Sequence, residues 1–311
     1  VPVLNPSKPI VWGIDPNQLN SHDLRRMKKI LSILLEAFQS QVLPVSVLAP
    51  MEIFGSLEIN GPIRSEWAST TLKRINLALR ELDLEDLEEP RILTKEGYSL
   101  SSSVRQLIDF SIEESAALIV VCTRAQSGFQ RWGLGSFADA LIASSPVPIL
   151  TLNPKTEVPK RVSRILFATD FSKESQRTFQ TVMTWAEKLR AEIVLFHKMG
   201  DPNPTAYYSD YGISIDAESQ AEINRAAEEA CERHVRNWHL IAHKRDLKCD
   251  VVIWRAGGSL QAGICSTAID VKADLIAVST HRGPMGQRFL GSTARDILAS
   301  ASCPVVITHE K

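Results

Sequence analysis

The 311-residue sequence predicts an α/β protein of two tandem doubly wound domains, each a five-stranded parallel sheet with helices on both faces. Three observations lead there. Landmarks of the first half recur in the second at a nearly constant offset. Short, continuous apolar runs alternate with runs of helical period. A Pro- and Lys-containing segment, "NPKTEVPKR", lies between the halves and reads as a linker.

The repeat is carried by four pairs. "PIVWGIDP" is echoed by "RILFATDF", which sets Asp15 against Asp170 at an offset of 155. "SAALIVVCT" answers "KADLIAVST" at 157, Gly135-Ser136 answers Gly291-Ser292 at 156, and "VPILTL" answers "CPVVIT" at 156. Four landmarks in one order at one spacing define a tandem duplication. The expected domains are residues 1–154 and 160–311.

In the second half, "ILFATD" is short, rich in β-formers and nearly continuous, as a strand buried on both faces must be. "KESQRTFQTVMTWAEKLR" follows with Phe179, Val182, Met183, Ala186 and Leu189 at helical spacing. "EIVLFHK" is the second strand, and after an inserted loop a long helix runs from about 216 to 241. "CDVVIWR", "SLQAGICSTAIDVK", "DLIAVST", "STARDILASA" and "PVVITH" complete the alternation of strand and helix. Right-handed crossovers place the helices on both faces. The first half follows the same plan, with strands near 10–14, 42–48, 90–94, 117–122 and 147–151.

Composition narrows the function. The formal net charge of −1 provides no overall basic field for nucleic acid. Five scattered cysteines without a C-x-x-C pair argue against a disulfide framework and fit a reducing compartment. No apolar run has the length of a membrane span, and the N-terminus lacks the charged and apolar regions of a signal peptide. A cytoplasmic protein is expected.

A doubly wound sheet collects ligands at the carboxyl ends of its strands, where the winding reverses. Asp170 ends the first strand of the second half and the loop 279–291 follows the fourth. If those strands are neighbours, both face one crevice. Asp15 and the loop 122–135 are their counterparts.

In order and spacing, "ILFATDFSKES", "AEIVLFHK", "ADLIAVSTHRG", "LGSTARDIL" and "CPVVI" resemble a universal stress protein domain. The first half resembles that family through "IVWGID", "ALIVVCTRA", "GLGSFADAL" and "VPIL". The resemblance covers essentially the whole chain, as a tandem member with an adenine nucleotide alpha hydrolase-like fold. It implies a stress-response regulator rather than a catalyst, with ATP or a related adenine nucleotide as ligand and no required metal. Asp170, Ser172 and the backbone around Lys198 would contact the nucleoside side. Gly283, Gly286, Gly291 and Ser292 would face the phosphates. Glycines let the main chain approach a polyphosphate, and a helix start offers free N–H groups with a favourable dipole. The resemblance also implies pairing through the last strands, here 147–151 with 302–308 inside one chain, and is compatible with a further homodimer.

The loop of nucleotide-binding members reads G-x2-G-x9-G-[ST], and both halves depart from it. The first has Cys122 and Ala125 where the early glycines belong, with Gly135 and Ser136 kept. The second has Ser279 and Arg282 and is one residue shorter before Gly291, with Gly283 and Gly286 able to supply the freedom. The second half is the better nucleotide candidate. A protein-interaction module of the same fold without nucleotide is the alternative, since side chains at the early positions crowd a polyphosphate.

Plainer readings stand beside these. Ser136-x-x-Asp139 and Thr293-x-x-Asp296 have the form of capping boxes, which need no ligand. Gly286-x4-Gly291-Ser292-Thr293 is spaced like a Walker A loop but has Ser where Lys is required. Cys231, His234, His239 and His243 cannot converge from one straight helix, because His234 sits roughly 140° from His239 at about 100° per residue. No metal is expected there. No motif supports catalysis, and a slow ATPase lacks a recognisable base or metal clamp. The segment "GDPNPTAYYSDYGISID" is read as a mobile loop before it is read as a partner surface.

Overall fold

The computed structural model describes residues 8–16, 19–48, 61–94, 100–123, 136–200, 216–255, 257–280 and 292–309. The strands are β1 (Ile10–Gly13), β2 (Val42–Val47), β3 (Arg91–Leu93), β4 (Leu118–Cys122), β5 (Ile149–Leu152), β6 (Arg164–Ala168), β7 (Glu192–Lys198), β8 (Cys249–Trp254), β9 (Leu275–Thr280) and β10 (Val305–His309). Between them run α1 (Ser21–Phe38), α2 (Gly61–Arg80), α3 (Leu100–Glu113), α4 (Ser136–Ser144), α5 (Lys173–Leu189), α6 (Ala217–His243), α7 (Leu260–Asp270) and α8 (Ser292–Ser300).

All ten strands join one sheet in the order β3-β2-β1-β4-β5-β10-β9-β6-β7-β8. Within each half every pairing is parallel. Among the described strands the one antiparallel joint is the seam, where Val305, Val306 and Ile307 lie opposite Thr151, Leu150 and Ile149. Reading outward from it, each half has its fifth, fourth, first, second and third strand. The repeat seen in sequence is thus a pseudo-twofold in space.

Strands buried on both faces need two cores, and two are present. Alternate side chains of the strands send Ile165, Phe167 and Ile193 to one face, under α1, α2, α5 and α6. Leu166, Val194 and Ile276 go to the other, under α3, α4, α7 and α8. Both cores run across the seam. On the first face Phe38 of α1 meets Trp185 of α5 edge to face, with centroids 5.4 Å apart. On the second, α7 comes so close to the sheet that a Cβ on Gly263 would stand 2.6 Å from the Trp254 ring. Glycine there is a packing requirement.

Two helix starts are capped by side chains that the sequence did not single out as caps, whereas Ser136 and Thr293, expected as capping residues, lie inside the first turns of α4 and α8. Asn20 Oδ1 accepts from the amides of His22 and Asp23 ahead of α1, and Ser172 Oγ accepts from Ser175 N ahead of α5. Both helices end on a residue in the left-handed region, Gln39 and Arg190.

The join between the halves is clamped rather than loose. Arg26 on α1, with its side chain 11% exposed, gives Nε to Thr156 O at 3.1 Å and Nη2 to Asn153 O, while Nη1 pairs with Asp23. Lys29 Nζ donates to Val158 O. On the other side, Asn153 Nδ2 donates to Leu298 O and Ala301 O at 3.0 and 2.8 Å, and Glu157 N to Ser302 O at 2.7 Å. One short segment thereby satisfies donors and acceptors of both halves.

No helix among the described residues is long and apolar enough to cross a membrane. Of the expected loop at 200–216, residues 201–215 lie outside the described residues.

Candidate functional site

The strands that sequence reasoning set at one crevice are neighbours: β6 pairs β9, with Ala168 beside Val278. From β6 the chain winds outward through β7 and β8, then crosses back to β9 and β10 on the other side. The winding therefore reverses between β6 and β9, and their carboxyl ends open the crevice of a switch point.

After β6 the chain makes a tight, internally bonded turn. Thr169 N still donates to Phe196 O at 2.9 Å, and Thr169 Oγ1 accepts from Phe171 N at 2.9 Å. Phe171 takes φ = 59°, a left-handed conformation that costs a non-glycine residue about 1–2 kcal/mol. Its ring is the compensation. It is buried edge-on against Trp238 at 5.1 Å, tilted on His197 at 4.8 Å and stacked on His234 at 5.5 Å. His197 Nδ1 lies 2.9 Å from Thr169 O, and because a carbonyl only accepts, this nitrogen carries the proton.

This turn leaves Asp170 exposed at the mouth of the crevice. Its Oδ1 accepts from Ser172 N at 2.9 Å and from Ser175 Oγ at 2.6 Å. Ser175 is 1% exposed, and its Oγ lies 3.5 Å from Ser279 Oγ near the end of β9. A carboxylate, a helix cap and two hydroxyls thus bridge β6 to β9.

The remaining expected site residues are placed differently. Ser172 is beside Asp170, with its hydroxyl accepting the Ser175 amide as the cap of α5. Lys198 ends β7, and its ammonium donates to Gly258 O at 2.8 Å while lying 5.4 Å over the Trp254 ring. It is tied to the β8–α7 turn, not to Asp170. Ser292 is exposed at the first turn of α8. Gly283, Gly286 and Gly291 lie outside the described residues, as do Arg282, Ala125 and Gly135. Ser175 and Thr169 were not singled out from sequence. Their signal is positional: Ser175 is the third residue after a capping Ser and the fifth after Asp170.

The first-half crevice, at β1 and β4, is built with other chemistry. In the place of Ser175, three residues after the cap, stands Asp23, whose carboxylate pairs with Arg26 at 3.0 Å. In the place of Ser279 stands Cys122. Its thiol is pushed up to about 12, by burial first and then by Asp23, against the pull of Arg26. Such a thiol is held neutral and unreactive. The carboxyl of Asp139, at the start of α4, is raised by burial first and drawn back by Arg295 of α8, 3.2 Å away across the seam.

Among the described residues, no group of three or more His, Cys, Asp or Glu side chains is placed to hold a metal ion. Cys231 is buried in the core, and none of the five cysteines is in a disulfide.

Comparison with known proteins agrees with the architecture. A universal stress protein from Archaeoglobus fulgidus DSM 4304 superposes with a TM-score of 0.63 at 19% identity, over 97% of this chain and 98% of its own. A functionally unknown protein from Pseudomonas aeruginosa PAO1 gives 0.59 at 18%, over 97% of this chain and 92% of its own. At these identities the likeness speaks to the fold alone. No curated protein matches the chain by sequence. The pattern of the universal stress protein family matches twice, at residues 6–153 and 161–309, which together span nearly the whole sequence. The chain belongs to the universal stress protein family and carries the family's unit in tandem.

Proposed function

We propose that the chain is a cytoplasmic stress-response regulator that binds ATP or a related adenine nucleotide in its second domain, residues 160–311, with residues 1–154 as a degenerate partner domain. The observation that carries this is the placement of Asp170 at the β6–β9 switch point, with one carboxylate oxygen held by Ser172 N and Ser175 Oγ. A carboxylate so held accepts from a nucleoside's N–H or O–H groups. Ser172 and the backbone around Lys198 lie toward the nucleoside side. Gly283, Gly286, Gly291 and Ser292 serve the phosphates, where a helix start provides amides and a favourable dipole. No metal or catalytic base is assigned, and the ligand acts by being held.

A second reading is a protein-interaction module without nucleotide. It is favoured by Ser279, which puts a side chain where the family's loop has its first glycine and turns its hydroxyl toward Ser175.

Protein purified without added ligand is expected to release an adenine nucleotide into an acid extract, detectable by mass spectrometry. Added ATP at about 100 times its Kd should then stabilise the fold by about 2.7 kcal/mol in thermal unfolding. An empty extract together with an unmoved unfolding curve would favour the interaction module.

A further inference from the structure

Ser175 has no assigned role, yet it sits where the two sides of the crevice meet. It is buried in the first turn of α5, where its hydroxyl must find partners inside the protein. An ionised carboxylate only accepts, so the 2.6 Å contact has Ser175 Oγ donating its proton to Asp170 Oδ1. That short O–H···O⁻ bond belongs to the stronger, charge-assisted class. With its proton committed, Ser175 Oγ is left as an acceptor toward Ser279 Oγ, 3.5 Å away. The chain of hydroxyls then runs from the end of β9, where the 281–291 segment begins, to the carboxylate after β6.

At the position of Ser175 the first crevice carries a different group. Asp23 occupies the Ser175 position, is acceptor-only when ionised, and is already paired with Arg26, whose guanidinium is also spent on the Asn153 and Thr156 carbonyls. It can give no proton to a neighbouring carboxylate.

We propose that Ser175 is the positioning residue that fixes Asp170 for nucleotide, and that its replacement by Asp23 in the first half leaves the chain with one nucleotide site instead of two. This rests on the nucleotide reading of the second crevice. Asp170 is exposed, so removing the Ser175 hydroxyl strands no buried charge, and the variants are expected to fold.

The test is equilibrium dialysis of labelled ATP and labelled adenosine against the full chain and the variants Ser175→Ala, Ser175→Thr, Asp170→Ala and Ser175→Ala/Asp170→Ala, with unliganded thermal midpoints as the folding control. Wild type is expected to take up about one ATP per chain. Ser175→Ala should weaken ATP and adenosine alike, by about tenfold. Ser175→Thr, which keeps the hydroxyl, should bind as wild type. In the absence of the Asp170 carboxylate, Ser175→Ala should have no further effect, an outcome that a general loosening of α5 would not give. The proposal falls if Ser175→Ala binds normally, if its effect adds in full to that of Asp170→Ala, if folded Ser175→Thr is as weak as Ser175→Ala, or if two ATP bind per chain. Should Asp170→Ala itself bind like wild type, the nucleotide reading of this crevice fails first.

Discussion

Ile307→Asp is expected to destabilise the protein by on the order of 5 kcal/mol, enough to remove most of the stability of an ordinary fold. Ile307 is fully buried at the seam, opposite Ile149 of β5 and beside Val278 of β9. A carboxylate there would lie in an apolar layer that runs through both halves, where burying a charge is costly. Ile307→Val is the control for shape, and should cost only about 0.5–1.5 kcal/mol. Urea unfolding followed by circular dichroism separates the two. Because β10 pairs with β9 along its whole length, the damage should reach the β6–β9 crevice as well.

Trp238→Ala is expected to cost about 3–5 kcal/mol, from lost burial plus the cavity left behind. Trp238 is 2% exposed and stacks on Phe179 at 4.5 Å and Phe167 at 6.1 Å. Its effect should not stop at stability. The same ring forms the wall against which Phe171 is held in its left-handed turn, directly after Asp170. With that wall gone, the turn is free to relax toward an ordinary backbone conformation and carry Asp170 out of place. Nucleotide affinity should therefore fall in Trp238→Ala even under conditions where the variant is folded. Trp238→Phe keeps an aromatic wall and should lose less of both.

Most of the architecture was legible because buried parallel strands leave little choice of side chain. "ILFA" and "LIAVS" read as strands for the same reason that they are buried on both faces. The repeat then fixed which strands correspond, and topology alone put Asp170 opposite the end of β9. What escaped the sequence depends on partners far along the chain. The clamp on the join requires Arg26 to reach carbonyls 127 and 130 residues away, so "NPKTEVPKR" looked like a plain linker. Ser175 reads as an ordinary residue at the start of a helix until its 2.6 Å contact with Asp170 is seen. The left-handed turn at Phe171 has no glycine to announce it, being held by Thr169 and an aromatic cluster instead. Lys198 was correctly set at the end of a strand, but the direction of its ammonium toward Gly258 is a matter of packing around Trp254.

The two halves share one fold and differ in the polar groups at their crevices. Hydroxyls surround Asp170 in the second, while a carboxylate, a committed guanidinium and a neutral thiol occupy the first.

Whether an adenine nucleotide is held at Asp170 is decided by calorimetric titration of ATP into wild type and Asp170→Ala. A saturable heat is expected in the wild type, with at least tenfold weaker binding, or none, in Asp170→Ala and its unfolding curve unchanged. Equal binding by both proteins, or no binding by the wild type after any bound nucleotide has been stripped, would contradict nucleotide binding at Asp170.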